Sequence, residues 1–136
     1  MNEEEARRRF VQARVGRLAT AGPDGAPHVV PFVFAVDGDR IYTEVDDKPK
    51  RSTSLKRTAN IRANPRASAL VDHYEDDWHR LWWVRADGSG RVVEEGPDRD
   101  RGLALLREKY DQYRRVRDPG PVIVIEVDRW RWWSYS

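Results

Sequence analysis

The chain has 136 residues and a mass of 15.9 kDa, which is enough for one domain with its own hydrophobic core and too little for two. It contains no cysteine, so disulfide bonds, thiolate catalysis and cysteine-based metal sites are excluded, and no apolar stretch approaches the ~20 residues of a membrane helix. The N-terminal residues MNEEEARRRF lack the apolar segment of a secretory signal, so we expect one cytoplasmic domain spanning residues 1–136.

The first third of the chain predicts a helix followed by short strands. Residues 3–13 begin with three glutamates and continue with arginines, which is the charge order that the helix dipole favours, and Phe10 and Val11 begin the apolar face. Strands rich in β-branched and aromatic residues are predicted at 15–20, 28–36 and 40–45. Pro31 cannot donate a ladder hydrogen bond, so the second of these strands is expected at a sheet edge or at a bulge.

The rest of the chain predicts two more helices among further strands. The helix at 52–63 carries Leu55, Ala59 and Ile61 at helical spacing and is stopped by Asn64 and Pro65. A second amphipathic helix is predicted at 99–113. Strands are predicted at 67–72, 81–86, 89–94, 122–127 and 129–135, with Asp87-Gly88 as a turn. Many strands with few helices indicate a small antiparallel barrel.

Lysines are concentrated in one part of the chain. Lys48, Lys50 and Lys56 are three of its four lysines, and Arg51 and Arg57 lie beside them. On a chain of net charge +2, such a local cationic patch favours a small anionic ligand over broad nucleic-acid binding. A solvated, charged helix face is the alternative interpretation of this run.

Two other segments have a distinctive composition. Residues 72–85 combine tryptophans with acidic residues and two histidines, but the spacing of these groups matches no tetrahedral metal site, so no metal is predicted. Trp82 and Trp83 fit core or interface packing better than stacking on a ligand. The C-terminal RWRWWSY alternates arginine with aromatic residues, which favours a dimer strand with cation–π pairs over a surface for nucleic-acid bases.

The segments GRLAT, GPDGAPHVVPF, RIYTEVD and KPKRSTSLKRTANIRANPRASALVD, in this order, resemble the pyridoxamine 5′-phosphate oxidase-like split β-barrel family of flavin- and deazaflavin-binding proteins. The resemblance covers nearly the whole chain. Within the family, DDKPK, ANIRANPRASALVDHYEDDW and LWWVRADGSGRVV are most similar to small actinobacterial enzymes that use the deazaflavin F420. The resemblance implies a mainly β (α+β) split barrel of the FMN-binding type, with six to seven antiparallel strands and two to three flanking helices. It also implies a homodimer with cofactor sites at the subunit interface.

The resemblance implies an oxidoreductase that transfers a hydride between reduced F420 and a planar, conjugated small molecule. FMN as the cofactor, or a module that binds F420 or a flavin without catalysis, are the alternatives. Both cofactors are anionic, and the basic residues Lys48, Lys50, Arg51, Lys56 and Arg57, with the Ser52 hydroxyl, are expected to hold the phosphate or tail. The ring is expected against Val29, Val30, Pro31 and Phe32, and the substrate near His28 and Trp78. The ring carries the hydride, so no side chain stands out as a dedicated general acid, and a tyrosine, a histidine or water are the alternatives for protonating the product. Neither a nucleic acid nor a membrane is expected as a partner.

Overall fold

The computed structural model describes residues 1–45, 52–116 and 118–136, and of residues 52–55 it describes the backbone alone. The described helices are α1 (Glu3–Gln12), α2 (Ser52–Ala63) and α3 (Pro97–Lys109). The described strands are β1 (Gly16–Ala21), β2 (Pro27–Phe32), β3 (Ala35–Asp37), β4 (Arg40–Glu44), β5 (Arg66–His73), β6 (Trp82–Val93) and β7 (Val122–Ser134). Two short 3-10 helices span Trp78–Arg80 and Asp111–Arg115.

All seven strands belong to one antiparallel sheet with the order β2-β1-β5-β6-β7-β4-β3. Its two edge strands, β2 and β3, are joined by only Val33 and Phe34. This connection spans at most ~11 Å of chain, whereas seven strands side by side in a flat sheet extend over ~29 Å. The sheet must therefore roll until its edges approach each other, and this geometry confirms the predicted antiparallel split barrel.

The connection between the two edges corrects one strand prediction. The segment 28–36 is not one strand, because the chain leaves one edge of the sheet after Phe32 and enters the other edge at Ala35. The edge position expected from Pro31 is confirmed, since β1 is the one described strand that pairs with β2. Thr43 of β4 stabilises this connection, because its hydroxyl donates to the Val33 carbonyl oxygen at 2.8 Å.

Two long strands replace four predicted short ones. The predicted strands 81–86 and 89–94 form the single strand β6, and 122–127 and 129–135 form the single strand β7. Asp87-Gly88 is therefore not a turn. Asp87 pairs with Arg129 while Gly88 pairs with Val127, so Asp128 is the extra residue of a β-bulge. At this point the two backbones nearly touch, since a Cβ on Gly88 would lie 2.1 Å from the Glu126 carbonyl oxygen.

The inside of the rolled sheet is apolar and α1 covers one end of it. Phe10 of α1 packs between Phe34 and Trp130, with ring centroids 5.0 and 5.2 Å away. Val11, expected on the same apolar face, is exposed. The predicted helix 99–113 ends earlier, at Lys109, and continues from Asp111 as a 3-10 turn. No helix in the described part of the chain has the length and hydropathy needed to cross a membrane.

Candidate functional site

Helix α2 buries polar side chains. Among its residues with described side chains, 56–63, those that are buried are Arg57, Thr58, Asn60 and Ile61, whereas Ala59, expected on the apolar face, is exposed. Asn60 is satisfied in this position, because its side-chain amide donates to the Thr20 hydroxyl at 3.1 Å. Arg57 is 9% exposed, and its Nε atom has no hydrogen-bond partner among the described residues. A buried cation with an unused donor is costly to the fold and indicates a site for an anion.

Arg57 faces a cleft of about 710 Å³ at the gap between the two sheet edges. The cleft runs from the end of β2 to the end of β4, and the chain after α1 and the 3-10 helix after α3 form its other sides. Its lining residues are Arg14, Val15, Pro31, Phe32, Val33, Thr43, Glu44, Arg57, Tyr110, Gln112, Tyr113 and Val116. This volume is sufficient for a planar organic molecule of cofactor size.

The charge on Arg57 is destabilised by its surroundings. Burial lowers the pKa of the Arg57 guanidinium, while the nearby Tyr113 and Glu44 act in the opposite direction. The group nevertheless stays protonated at neutral pH, because the ordinary pKa of an arginine lies far above neutrality. An anion with oxygen acceptors would satisfy both the charge and the Nε donor.

One side of the cleft is an apolar strand edge. Pro31, Phe32 and Val33 form it, and Val15 and Val116 add aliphatic surface opposite. Because β2 is an edge strand, none of the described strands lies beside its outward backbone groups, and Pro31 offers a carbonyl oxygen but no N–H group. Such a wall can hold the face and the N–H edge of a flat heterocycle.

Tyr110 fixes the opposite wall in place. Its hydroxyl lies 2.9 Å from the Arg14 carbonyl oxygen and 3.0 Å from that of Phe34, and it accepts from the Phe34 N–H at 3.3 Å. Lys109 strengthens this junction by donating to the carbonyl oxygens of Ala13 at 2.7 Å and Phe34 at 3.0 Å. The end of α3, the end of α1 and the edge connection therefore meet at one point.

We expect the stability of the protein to rise between pH 8 and pH 10. Burial, with a smaller contribution from the positive charge of Arg14, lowers the pKa of Lys109 from 10.5 to about 8. In this range the unfolded chain binds a proton that the folded chain has lost, so the free energy of unfolding increases with pH. Above pH 10 the trend reverses, because burial raises the pKa of Tyr110.

Urea unfolding at pH 7, 8, 9 and 10 measures this effect. Lys109→Met has no amine to titrate at this position and should give a flatter profile over the same range. A wild-type profile that is level or falls between pH 8 and pH 10 would contradict the expectation.

The cleft brings together three of the residues that the sequence predicts for cofactor binding, namely Pro31, Phe32 and Arg57. Lys56, the neighbour of Arg57, is exposed on α2. Lys48, Lys50 and Arg51 lie outside the described residues, as does the side chain of Ser52, the first residue of α2. The basic cluster is thus divided, with one member buried in the cleft and another in solvent.

The remaining predicted residues lie elsewhere. Val30 is buried inside the barrel and Val29 is 61% exposed, and neither lines the cleft. His28 pairs with Thr20 at the far end of β2, and its buried Nδ1 has no partner among the described residues. Trp78, which is 67% exposed, lies in the 3-10 helix before β6. The structure therefore does not place His28 and Trp78 together with the other predicted residues.

Trp82, Trp83 and Trp130 make cation–π contacts with arginines of the same chain. Arg7 lies over the ring of Trp130 at 5.0 Å and Arg9 over that of Trp82 at 5.1 Å. In the segment 72–85, the Glu75 carboxylate is in contact with His73 and with Arg80. Across the described ranges, no three histidine and acidic side chains converge as metal ligands would.

Sequence reasoning missed several cleft residues. Glu44 ends β4, and its carboxylate accepts the Gly120 N–H at 3.0 Å. Tyr110 and Tyr113 fall within the helix predicted at 99–113, but they follow the observed helix, which ends at Lys109, and they line the cleft. A tyrosine carries a polar tip that needs a partner when buried, and this was the available signal for Tyr110.

Comparison with known proteins identifies a family whose model matches nearly the whole chain. The family model described as pyridoxamine 5′-phosphate oxidase matches residues 3–134. A conserved hypothetical protein of Mycobacterium tuberculosis is similar in structure, with a TM-score of 0.79 and 27% identity over 98% of this chain and 85% of that one. No protein of curated function gives a significant match to the sequence.

Two other similar structures have names that state a ligand. An FAD-binding protein of Mesorhizobium loti has a TM-score of 0.72 and 25% identity over 97% of this chain and 94% of its own. A heme binding protein of Mycobacterium smegmatis has a TM-score of 0.77 and 25% identity over 98% of this chain and 54% of its own. With the family model covering nearly its whole length, the chain belongs to the pyridoxamine 5′-phosphate oxidase family.

Proposed function

We propose that this protein is an F420-dependent oxidoreductase, which transfers a hydride between reduced F420 and a planar, conjugated small molecule. The observation that carries the proposal is the buried Arg57, whose Nε donor is unused, in the same cleft as the apolar edge of β2. Together they match the two parts of such a cofactor, an anionic handle and a flat ring. When bound, the cofactor supplies the hydride chemistry itself.

The side chains of the cleft would bind and orient the cofactor, and they take no direct part in the hydride transfer. Arg57 would hold a phosphate oxygen, and Phe32, Val33 and Val15 would exclude water from one face of the ring. The Tyr110 hydroxyl is engaged with backbone groups of Arg14 and Phe34, so it supports the wall and is not placed to donate a proton to an acceptor.

The preference for F420 over FMN comes from the spread of basic residues. F420 has a phosphodiester and a polyglutamate tail, whereas FMN ends in one compact phosphate. The basic residues of positions 48–57 extend along the chain, while the described residues that line the cleft contribute only Arg57 and Arg14 as cations. One buried guanidinium preceded along the chain by several further basic residues suits a diester with a long anionic tail.

A flavin is the second candidate, because the relative from Mesorhizobium loti is named as FAD-binding. FMN in the same cleft would use the same arginine and the same strand edge. Binding without catalysis is the third, because the Mycobacterium smegmatis relative is named as heme binding.

A homodimer with cofactor sites at the subunit interface also belongs to the proposal. Its support is that Val29 of β2 and Trp133 of β7 are exposed apolar side chains on two separate strands of the sheet. Sedimentation equilibrium tests this part independently of any ligand.

Titration of the purified protein with F420, FMN and heme tests the cofactor, with fluorescence or absorbance as the signal. We expect binding of F420 that is tighter than binding of FMN or heme. Reduced F420 is then mixed with a panel of quinones, nitroaromatics and tetrapyrroles, and its reoxidation is followed. Tight binding of FMN without binding of F420 would favour the flavin enzyme, and binding of F420 without turnover of any acceptor would favour the binding module.

A further inference from the structure

Asn60 of α2 is a buried polar side chain with a fixed partner. It is 2% exposed, and its amide donates to the hydroxyl of Thr20 on β1, itself 5% exposed, at 3.1 Å. The turn after β1 lies against the oxygen of this amide, since a Cβ on Gly22 would be 3.2 Å from the Asn60 Oδ1 atom. The hydrogen bond is therefore shielded from water, and it joins α2 directly to the sheet.

Asn60 and Arg57 lie on the same face of α2. They are three residues apart, which places Asn60 ~4.5 Å further along the helix axis and on the same side. Both are buried, whereas Lys56 and Ala59, one residue before each of them, are exposed. A contact that fixes the rotation of α2 about its axis at Asn60 therefore also fixes the direction in which Arg57 points.

The position of Arg57 needs such a contact, because a buried guanidinium is costly to the fold. With no partner for its Nε atom among the described residues, Arg57 gains solvation from any movement that turns it out of the cleft. Ile61 packs α2 against β6, where a Cβ on Gly90 would meet the tip of its side chain at 3.0 Å. An apolar contact is not directional, so it tolerates a rotation of the helix. The hydrogen bond between Asn60 and Thr20 is directional and opposes that rotation.

We propose that Asn60 is a positioning residue, which keeps the Arg57 guanidinium in the cleft through its hydrogen bond to Thr20, so that Arg57 can bind the phosphate of the cofactor. This inference rests on the proposed function, since it assumes that Arg57 binds that phosphate. Asn60 does not itself line the cleft. It should therefore affect only the part of the binding that Arg57 supplies.

Ligands with and without a phosphate isolate this part. FMN and riboflavin share one ring, F420 and its deazariboflavin head group share another, and only the first of each pair carries a phosphate. The ratio of the two affinities within a pair measures what the phosphate contributes, with the tail added in the F420 pair, because the contacts of the ring cancel. A merely structural role of Asn60 would change both affinities together and leave the ratio as it is.

The experiment measures the four dissociation constants by fluorescence at pH 7 for the wild type, Thr20→Val and Thr20→Ser. Valine has the shape of threonine without its hydroxyl, whereas serine keeps the hydroxyl. For Thr20→Val we expect the affinity ratio to fall about tenfold, which corresponds to the loss of one ordinary hydrogen bond. The affinity for the ring alone should change by less than about threefold in both variants, and Thr20→Ser should keep the ratio of the wild type to within about threefold.

A second background shows whether Asn60 acts through Arg57. In Arg57→Met, the further change Thr20→Val should alter the ratio by less than about threefold, because no guanidinium remains to be positioned. The same tenfold loss with and without Arg57 would overturn the positioning role, and so would an unchanged ratio in Thr20→Val. If Thr20→Val does not fold, the double variant with Thr20→Val and Asn60→Leu takes its place, because it leaves neither partner buried and unpaired. It must show the same loss for the inference to stand.

The same titrations separate this inference from the proposed function. A lower ratio in Arg57→Met without one in Thr20→Val would keep the phosphate site and overturn the role of Asn60. An unchanged ratio in Arg57→Met would overturn the phosphate site and this inference with it. The expected losses in the FMN pair, with no binding of F420, would keep the positioning role and overturn F420 as the cofactor. Failure of all four ligands to bind would overturn both.

Discussion

Replacement of Arg57 by methionine is expected to weaken binding of the cofactor by roughly 30-fold to 1,000-fold. Removing one partner from a buried, charge-assisted hydrogen bond costs about 2–4 kcal/mol of binding free energy, because the other partner stays desolvated and unpaired. Arg57 meets this condition, since it is 9% exposed and its Nε has no partner among the described residues. The dissociation constant of F420, measured by fluorescence titration, tests the expectation.

Lys56 provides the matched control, because it is the preceding residue on the same helix, carries the same charge and is exposed. Lys56→Met should change the dissociation constant by less than about threefold, as solvent screens an exposed charge. Circular dichroism verifies that both variants are folded. Equal losses in the two variants would show that the basic cluster acts through its total charge, and no loss in Arg57→Met would remove Arg57 from the site.

The boundaries of several elements were predictable because their signals are local. Helix α2 was expected at 52–63 and is found at Ser52–Ala63, since Asn64 and Pro65 end it whatever the rest of the fold does. The bulge in β6 and β7 was not predictable. Asp87-Gly88 has the composition of a turn, but the glycine is needed because the Glu126 carbonyl oxygen passes against it, and this contact joins residues distant in sequence.

Only two parts of the site were predictable from the sequence, namely the apolar strand edge and the arginine that faces it. Pro31 and Arg57 were expected because a proline in a strand and a lysine-rich cluster are visible in the sequence. Glu44 and Tyr110 were not expected, because they reach the cleft only when the sheet rolls and brings β2 close to the ends of β4 and α3. The burial of polar side chains on α2 was also hidden, since Arg57, Thr58 and Asn60 look like an exposed polar face until Thr20 and the cleft are placed beside them.

Replacement of Gly88 by alanine is expected to lower the free energy of unfolding by about 3–5 kcal/mol. A methyl group on Gly88 would lie 2.1 Å from the Glu126 carbonyl oxygen and 2.9 Å from its carbon, and both are backbone atoms that cannot rotate away. The two longest strands would have to separate at the bulge that aligns them, so the loss exceeds that of ordinary overpacking, which is ~1–3 kcal/mol. For a chain of this length the midpoint of thermal unfolding should fall by roughly 10–20 °C.

Gly90→Ala is the matched control, because it adds the same methyl group to β6 beside a side chain that can move. It lies two residues further along β6, and a Cβ there would meet the tip of the Ile61 side chain at 3.0 Å. Ile61 can shift by changing its rotamer, so Gly90→Ala should cost about 1 kcal/mol. Urea denaturation of both variants compares the two values directly. If Gly88→Ala were no less stable than Gly90→Ala, the backbone contact at the bulge would not hold the two strands in register, and the rolled sheet would depend on its core alone.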